Sequence, residues 1–377
     1  MSVLRSWQAA IALVLIVVAA LAPLGNWGGS GSLFQVGGQV YGVLFLMLLA
    51  TAVAGFPERT SFSDGFVVFL GAHAGAWQAL EVLPMVSGGG AGWGFWSLVI
   101  ASWLLAWRLV AILSAAEPAS RLLGLLLRII IPFLFGAWLL FLWEVGVRGA
   151  GVPPVLLPAP SAIWAKMQAT PHILWADFRQ TFLKAVLIGY AIGCLSGFVV
   201  AILADRVPFL KRGLLPIGNL VSALPIIGMA PIMVMWFGFD WPSKAAVVII
   251  MTFFPMLVNT VAGLSASDAM HRDLMRTYAA GYWSTLFKLR LPAALPFIFN
   301  ALKINSTLAL IAAIVAEFFG TPTVGMGFRI STEIGRLATD MVWAEIAVAA
   351  LAGSVFYGVM ALIERAVTFW HPSFRTR

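Results

Sequence analysis

The sequence predicts an all-α, polytopic membrane protein of about ten transmembrane helices, on three observations. The 377-residue chain is 61% apolar and only 10% charged, whereas soluble domains carry about 25% charged residues. Several apolar runs approach or exceed the ~20 residues needed to cross a bilayer. Large aromatics are abundant, with 16 Trp and 27 Phe. The net charge of +8 therefore marks cytoplasmic loops, not a nucleic-acid surface. The one cysteine, Cys194, lies in an apolar run, so no intrachain disulfide can form.

Spans are expected at about 8–24, 39–56, 65–85, 93–114, 127–147, 181–203, 215–237, 244–264, 292–316 and 342–363. Arg5 ahead of the apolar run Ala9 to Ala22, with Ala20-Leu21-Ala22 at its end, resembles a secretory signal, but Pro23 would follow the cut, so an uncleaved span is expected. The third span carries His73, Trp77 and Glu81 at a spacing of four, beside Gly71 and Gly75. Small residues at that spacing suit close helix packing. The ionisable pair suits either a transport role or a His73–Glu81 hydrogen bond. Ser87-Gly88-Gly89-Gly90 makes a tight outer turn, and Ala115-Ala116-Glu117-Pro118 breaks the pattern as a linker. Residues 1–115 and 121–377 are thus separate regions of four and six spans. After the fifth span, Pro153, Pro154, Pro158 and Pro160 give an extended stretch, and Ser161 is placed to cap a short interfacial helix bearing Ile163, Trp164 and Met167.

The seventh span holds Pro216, Gly218, Pro225, Gly228 and Pro231. Breakers at that density predict an interrupted helix, tolerated where freed backbone groups find partners or line a cavity. Asn219, Ser222, Met229 and Met233 fall near one face and are candidate pathway residues, or else a kinked packing face. In the ninth span Asn300, Lys303 and Thr307 form a polar stripe. Lys303 suits a pathway or gate, or a snorkelling or paired lysine. Glu317 reads as an interfacial carboxylate. With both termini cytoplasmic, inner segments carry about twice the Lys and Arg of outer ones. Between spans eight and nine, 274–296 reads as a short helix, a turn and a Leu-Pro step, with Arg276, Lys288 and Arg290 in it. A helix across 273–290 would put 279, 283 and 286–287 on one face, with Tyr278, Tyr282, Trp283 and Phe287 needing a cover. That is a docking surface or a helix lying on head groups.

From Leu127 onward the chain resembles the permease subunits of bacterial ATP-binding-cassette importers, in the nitrate, sulfonate and taurine branch. The resemblance rests on Val152-Pro153-Pro154, Leu157-Pro158-Ala159-Pro160-Ser161, Trp236-Phe237-Gly238, Phe254-Pro255, Asn259-Thr260, Leu291-Pro292-Ala293-Ala294-Leu295-Pro296, Ala316-Glu317 and Gly325-Met326-Gly327. The family's cytoplasmic loop runs Glu-Ala-Ala, three residues, Gly, about nine residues, an apolar residue, one residue, Leu-Pro. Aligned on Leu291-Pro292, those positions hold Asp273, Leu274, Met275, Ala279 and Leu289. Spacing, the apolar Leu289 and the Leu-Pro end are kept, while the identities at Asp273, Leu274, Met275 and Ala279 depart. The resemblance implies a six-helix core, an ATPase-coupling loop at Asp273, Leu274, Met275, Ala279, Ala280, Gly281, Leu291 and Pro292, and a location in the bacterial inner membrane. The implied partners are a cytoplasmic ATPase, an extracytoplasmic substrate-binding protein, a second permease copy or homologue, and lipid. The implied cargo is a sulfonate-, nitrate- or taurine-like anion or a thiamin-precursor-like heterocycle. Residues 1–115 lie outside this resemblance and are expected to be an accessory bundle.

No Gly-x-x-x-x-Gly-Lys-Ser/Thr occurs, so ATP hydrolysis is expected from another subunit, with no cofactor in this chain. His172, His271 and His371 are isolated, and no metal site is expected. A lipid-modifying enzyme would need clustered His or carboxylates at one interface. An ion-coupled secondary transporter would need several mid-bilayer acids and inverted repeats, and only Glu81 stands out as such an acid.

Overall fold

A computed structural model describes residues 6–25, 33, 39–56, 61–86, 90–116, 120–222, 225–320 and 323–370. The expected turn at 87–89, the linker residues Glu117 and Pro118, and His371 lie outside them. Among the described residues the regular elements are helices. Seven are long and apolar enough to cross a membrane, and three shorter apolar helices, Trp7–Leu21, Val40–Ala54 and Ile227–Phe237, complete the expected set. The chain divides into two compact units, Met1–Ile163 and Trp164–Arg377.

The first unit contains α1 (Trp7–Leu21), α2 (Gln39–Ala54), α3 (Phe62–Val86), α4 (Trp93–Ala115), α5 (Arg121–Gly149) and the start of α6 (Pro160–Ala169). α1 and α3 each pack on α2 and α4. A Cβ added to Gly71 would lie 2.3 Å from the Ala50 Cβ, so only glycine lets α3 approach α2 there. Ser102 of α4 presses equally close on Gly75. Arg108 reaches back from α4 to donate to the Ala54 and Phe56 carbonyls, satisfying acceptors at the end of α2. α5, first span of the permease core by resemblance, packs on α3 and α4 within this unit.

Two local expectations change here. His73 Nδ1 bonds the Phe69 carbonyl at 2.8 Å, and Glu81 instead accepts from Trp77 Nε1 at 2.8 Å. Eight helical residues rise about 12 Å, too far for a His73–Glu81 bond. Ser161 is the second residue of α6, not its cap, because Pro160, lacking an N–H, takes the first helical position. The Ser161 N–H and hydroxyl both donate to Glu144, at 2.9 and 2.7 Å. Glu144 thus places its carboxylate at the helix N-terminus, where the dipole favours it.

In the second unit α7 (Pro171–Phe178) passes through a π-helical stretch, Arg179–Val186, into α8 (Leu187–Arg206). α9 (Pro208–Ser222), α10 (Ile226–Phe237), α11 (Trp241–Ser265), α12 (Ala269–Thr277) and α13 (Tyr282–Thr285) follow. A second π-helical stretch, Leu286–Arg290, opens α14 (Leu291–Glu317), and α15 (Met326–Gly335) and α16 (Thr339–Val367) complete the unit. The interruption expected in the seventh span is present: α10 starts afresh after Pro225, which has extended backbone. Its 12 residues rise about 18 Å, short of the ~30 Å hydrocarbon core.

The centre is α11, packed on α8 to one side and α14 to the other. Gly189, Gly193 and Gly197 line the α8 contact, and a Cβ on Gly193 would sit 2.1 Å from Thr252 Oγ1. Asn305 of α14 donates to the Thr252 carbonyl at 2.8 Å and to Cys194 Sγ at 3.3 Å, so one buried amide joins three helices. Gly193→Val is expected to destabilise the protein by about 1–3 kcal/mol, as over-packing does. Gly358→Val, whose Cβ meets nothing within 4 Å, serves as control. Thermal melting of the detergent-solubilised protein checks this, and equal melting temperatures for the two variants would contradict the packing account.

Candidate functional site

The polar segment between α11 and α14 is tied down at one side and bare at the other. α12 starts at Asp268, whose carboxylate accepts the Met270 N–H at 2.7 Å. The helix ends at Thr277 and the chain turns through Ala279, which has φ +50°. Left-handed backbone costs an L-residue with a Cβ about 1–2 kcal/mol, and the family pattern carries glycine at that position. The turn breaks the single helix expected across 273–290, so 279, 283 and 286–287 do not share one helical face. The apolar stripe lies elsewhere. Met270, Leu274 and Tyr278 repeat every four residues and are 77%, 51% and 77% exposed. α12 has no buried residue.

The anchored side begins at Arg290. Its guanidinium forks onto Asp205 at the end of α8, with both N–H···O distances 2.7 Å, and its Nε donates to the Leu264 carbonyl. Asp205 is nearly buried, its side chain 3% exposed. Tyr282 adds a longer hydroxyl contact to Asp205 at 3.3 Å. Arg206 lies over the Tyr282 and Trp283 rings, 5.3 and 5.6 Å from their centroids. Arg290 is therefore part of the anchor, whereas the exposed Lys288 remains available to a partner. Asp273 and Arg276 form an exposed pair at 3.3 Å. Met275 and Ala280 are half-buried, Gly281 precedes α13, and Leu291 and Pro292 open α14.

At the other end of α14 lies a second polar centre. Glu317 is 2% exposed, accepting from Thr181 Oγ1 and the Gly327 N–H, both at 2.7 Å. Asp177 accepts the Gly325 N–H at 2.6 Å and Arg329 Nε at 2.8 Å. The Met326 N–H completes the set on Thr181. Three consecutive backbone donors are thus held by α7, the following π-helical stretch and α14. Gly325 has φ +144° and Gly327 abuts the Ile314 carbonyl, so glycine is required sterically at both positions. Lys244 of α11, 1% exposed, donates to the Phe239 and Gly320 carbonyls. Asp240, at the head of α11, accepts the Trp241 N–H, which together with Gln180 holds its carboxyl below the usual carboxylate range. Glu317 is therefore no simple interfacial carboxylate.

The candidate pathway residues are distributed over three helices. Asn219 and Ser222 fall in α9, and their side chains lie outside the described residues. Met229 is half-buried, and Met233 is in the unit's apolar core. On α14, Asn300 and Thr307 are exposed, while Lys303 Nζ pairs with Glu364 of α16 at 2.6 Å. Thr307 borders a hollow of about 630 Å³ between α14 and α16, lined also by Ile311, Ile330, Ile346 and Tyr357.

Residues 189–369 match the family described as the binding-protein-dependent transport system inner membrane component. Those residues, about half of the chain, carry that family's domain. The permease is 29% identical over 239 residues to the formylaminopyrimidine transport permease protein of Halalkalibacterium halodurans, covering 63% of this chain and 95% of the relative. It is 28% identical to the riboflavin transport system permease protein of Chloroflexus aurantiacus, with 62% and 88% covered. To the putative aliphatic sulfonates transport permease protein of Bacillus subtilis it is 27% identical, with 68% and 92% covered. It is accordingly a multi-pass inner-membrane protein and a subunit of an ATP-binding-cassette importer.

Sequence reasoning missed Asp205, Asp177 and Asn305 of the permease. Each is a polar residue within or at the end of a span, a signal available in the sequence, but their partners are remote in the chain. Asp205→Ala leaves Arg290 without its carboxylate and is expected to cost about 3 kcal/mol. Hydrogen exchange should then quicken across 269–290, and unchanged exchange would show that the fork does not hold the loop. Ala279→Gly is expected to raise stability by about 1 kcal/mol by relieving the left-handed backbone, read as a higher melting temperature.

Proposed function

We propose that this importer subunit takes its ATPase on α12 and passes a small solute, delivered by an extracytoplasmic binding protein, through a pathway completed by a second permease. The observation that carries the ATPase contact is the stripe Met270–Leu274–Tyr278. A helix without one buried residue, yet with large apolar groups on one side and the Asp273–Arg276 pair on its surface, presents a face that a partner would cover. The Asp205–Arg290 fork supports the same reading, because a docked loop transmits force only if fixed to the spans. Hydrolysis of ATP belongs to the partner in this proposal, and the chain needs no cofactor of its own.

For the cargo, the relatives are named as permeases for formylaminopyrimidine, riboflavin and aliphatic sulfonates. The proposed solute is accordingly a small sulfonate-, nitrate- or taurine-like anion or a thiamin-precursor-like heterocycle. The hollow beside Thr307 is proposed to face the second permease, a copy of this chain or a homologue. Asn300 and Thr307, exposed on the same helix, are the residues best placed to meet the solute, with Asn219, Ser222, Met229 and Met233 as further candidates. Residues 1–115 are proposed as an accessory region outside the pathway.

Leu274→Glu puts a charge in the middle of the stripe without touching a buried residue. Membrane insertion and melting temperature should be unchanged, while co-purification of the ATPase and uptake of solute fall at least tenfold. Retention of both by the variant would remove α12 as the contact.

A further inference from the structure

Part of the polar segment is left without a role once the ATPase is placed on α12. Beyond the turn at Ala279, Trp283 and Phe287 stack at 5.9 Å and are 52% and 58% exposed. They stand on the helix that runs on into α14, with the exposed Lys288 next in the chain. Arg206, the last residue of α8, is exposed and lies over the Tyr282 and Trp283 rings. Asp205 beside it is taken by Arg290. Neither Arg206 nor Lys288 forms an ion pair among the described residues. Two cations thus flank exposed rings with no anion of their own unit to meet them. Their depth follows from length. The 27 residues of α14 rise about 40 Å, already more than the ~30 Å hydrocarbon core. The residues that precede α14 on the cytoplasmic side therefore lie at head-group level, as does the end of α8.

A second observation lies further along the same two helices. They border an apolar hollow of about 400 Å³, lined by Leu195 and Phe198 of α8 and by Leu291, Leu295 and Leu302 of α14. Phe198 and Leu195 precede Arg206 by about two and three helical turns, on its side of α8. Leu291 follows Phe287 by four residues. From Leu291 to Leu302 the hollow covers about 16 Å of α14, the hydrocarbon depth of one leaflet. We propose that α8 and α14 form a binding site for one anionic phospholipid of the cytoplasmic leaflet. Arg206 and Lys288 take its phosphate, Trp283 and Phe287 lie against its glycerol region, and one acyl chain fills the hollow. A guanidinium already oriented by aromatic faces suits a phosphate, and cytoplasmic basic residues are drawn to anionic head groups. Cations at the mouth of an apolar slot one leaflet deep match a phospholipid in both charge and shape, whereas a soluble partner has no segment to lay in hydrocarbon. A lipid bound there joins α8 to α14 from outside, as the Asp205–Arg290 fork joins them from within. The site does not depend on α12 being the ATPase contact.

The test uses the intact complex with its ATPase, taken from nanodiscs of phosphatidylcholine with a minority of phosphatidylglycerol, and counts retained lipids by native mass spectrometry. The wild type should retain phosphatidylglycerol in preference to phosphatidylcholine. Arg206→Gln with Lys288→Gln should lower phosphatidylglycerol retention at least tenfold, about fivefold for each charge removed, with the ATPase still bound. Arg121→Gln, an exposed charge at the start of α5, should leave retention unchanged. Leu295→Trp, which fills the hollow, should lower retention of both lipids. If Arg206→Gln prevents assembly, Lys288→Gln alone should still show its fivefold loss. Undiminished phosphatidylglycerol in the charge variants, an equal loss in Arg121→Gln, or undiminished lipid in Leu295→Trp would overturn the proposal. Release of the ATPase by the charge variants with lipid retained would overturn it too, since the rings and cations would then belong to the protein partner.

Discussion

Hydrocarbon offers a polar group nothing to bond to, and the second unit is organised by that constraint. Polar side chains entering its helix-packed interior are largely met by a group from another helix or by their own backbone, while the Thr260 hydroxyl and the Glu345 carboxyl have no partner among the described residues. Asn305 spends its amide protons on α11 and α8, Lys303 is met by Glu364, and Thr181 relays between Glu317 and the Met326 N–H. A helix that slips by one residue turns its side chains by about 100°, so each pairing also fixes register. The glycine face of α8 sets how near the backbones come, and the polar pairs set which residues stand opposite.

Against that background α12 is the exception. The long helices each bury part of their surface, whereas α12, like the short α13 after it, has no buried residue, while being fixed by Arg290 at one side and Asp268 at the other. The carboxylate that holds Arg290, on Asp205, is almost as buried as anything in the core. A surface that is open while its foundation is closed is what transient attachment of a large partner requires, since the partner can leave without the spans losing their arrangement.

The spans, the interruption at Pro225 and the Leu-Pro entry into α14 were legible from hydropathy and punctuation alone. Close packing at Gly71 and Gly75 was legible from spacing. Partnerships across the sequence were not, because a charge near a span end looks the same whether it faces water or a counter-ion. Arg290 and Asp205 are 85 positions apart, and Arg329 and Asp177 are 152 apart. Asn300 was singled out where Asn305 does the joining, since hydropathy cannot say which side of α14 meets α11. The stripe on α12 was hidden for a different reason. An alanine in left-handed backbone gives no signal of a turn, so the periodicity was carried through Ala279 and landed on the wrong residues.

Tyr282–Glu317 runs as one continuous helix of 36 residues, about 54 Å from end to end. One end is bolted beside the exposed α12, and the other carries the carboxylate that grips the Gly327 N–H. Such a rod is a lever arm. A tilt of about 5° at its base displaces the tip of a 54 Å rod by about 5 Å, close to one helical turn. A small rocking at one face of the membrane is thereby magnified at the other, with the two ends differing in travel and not in timing.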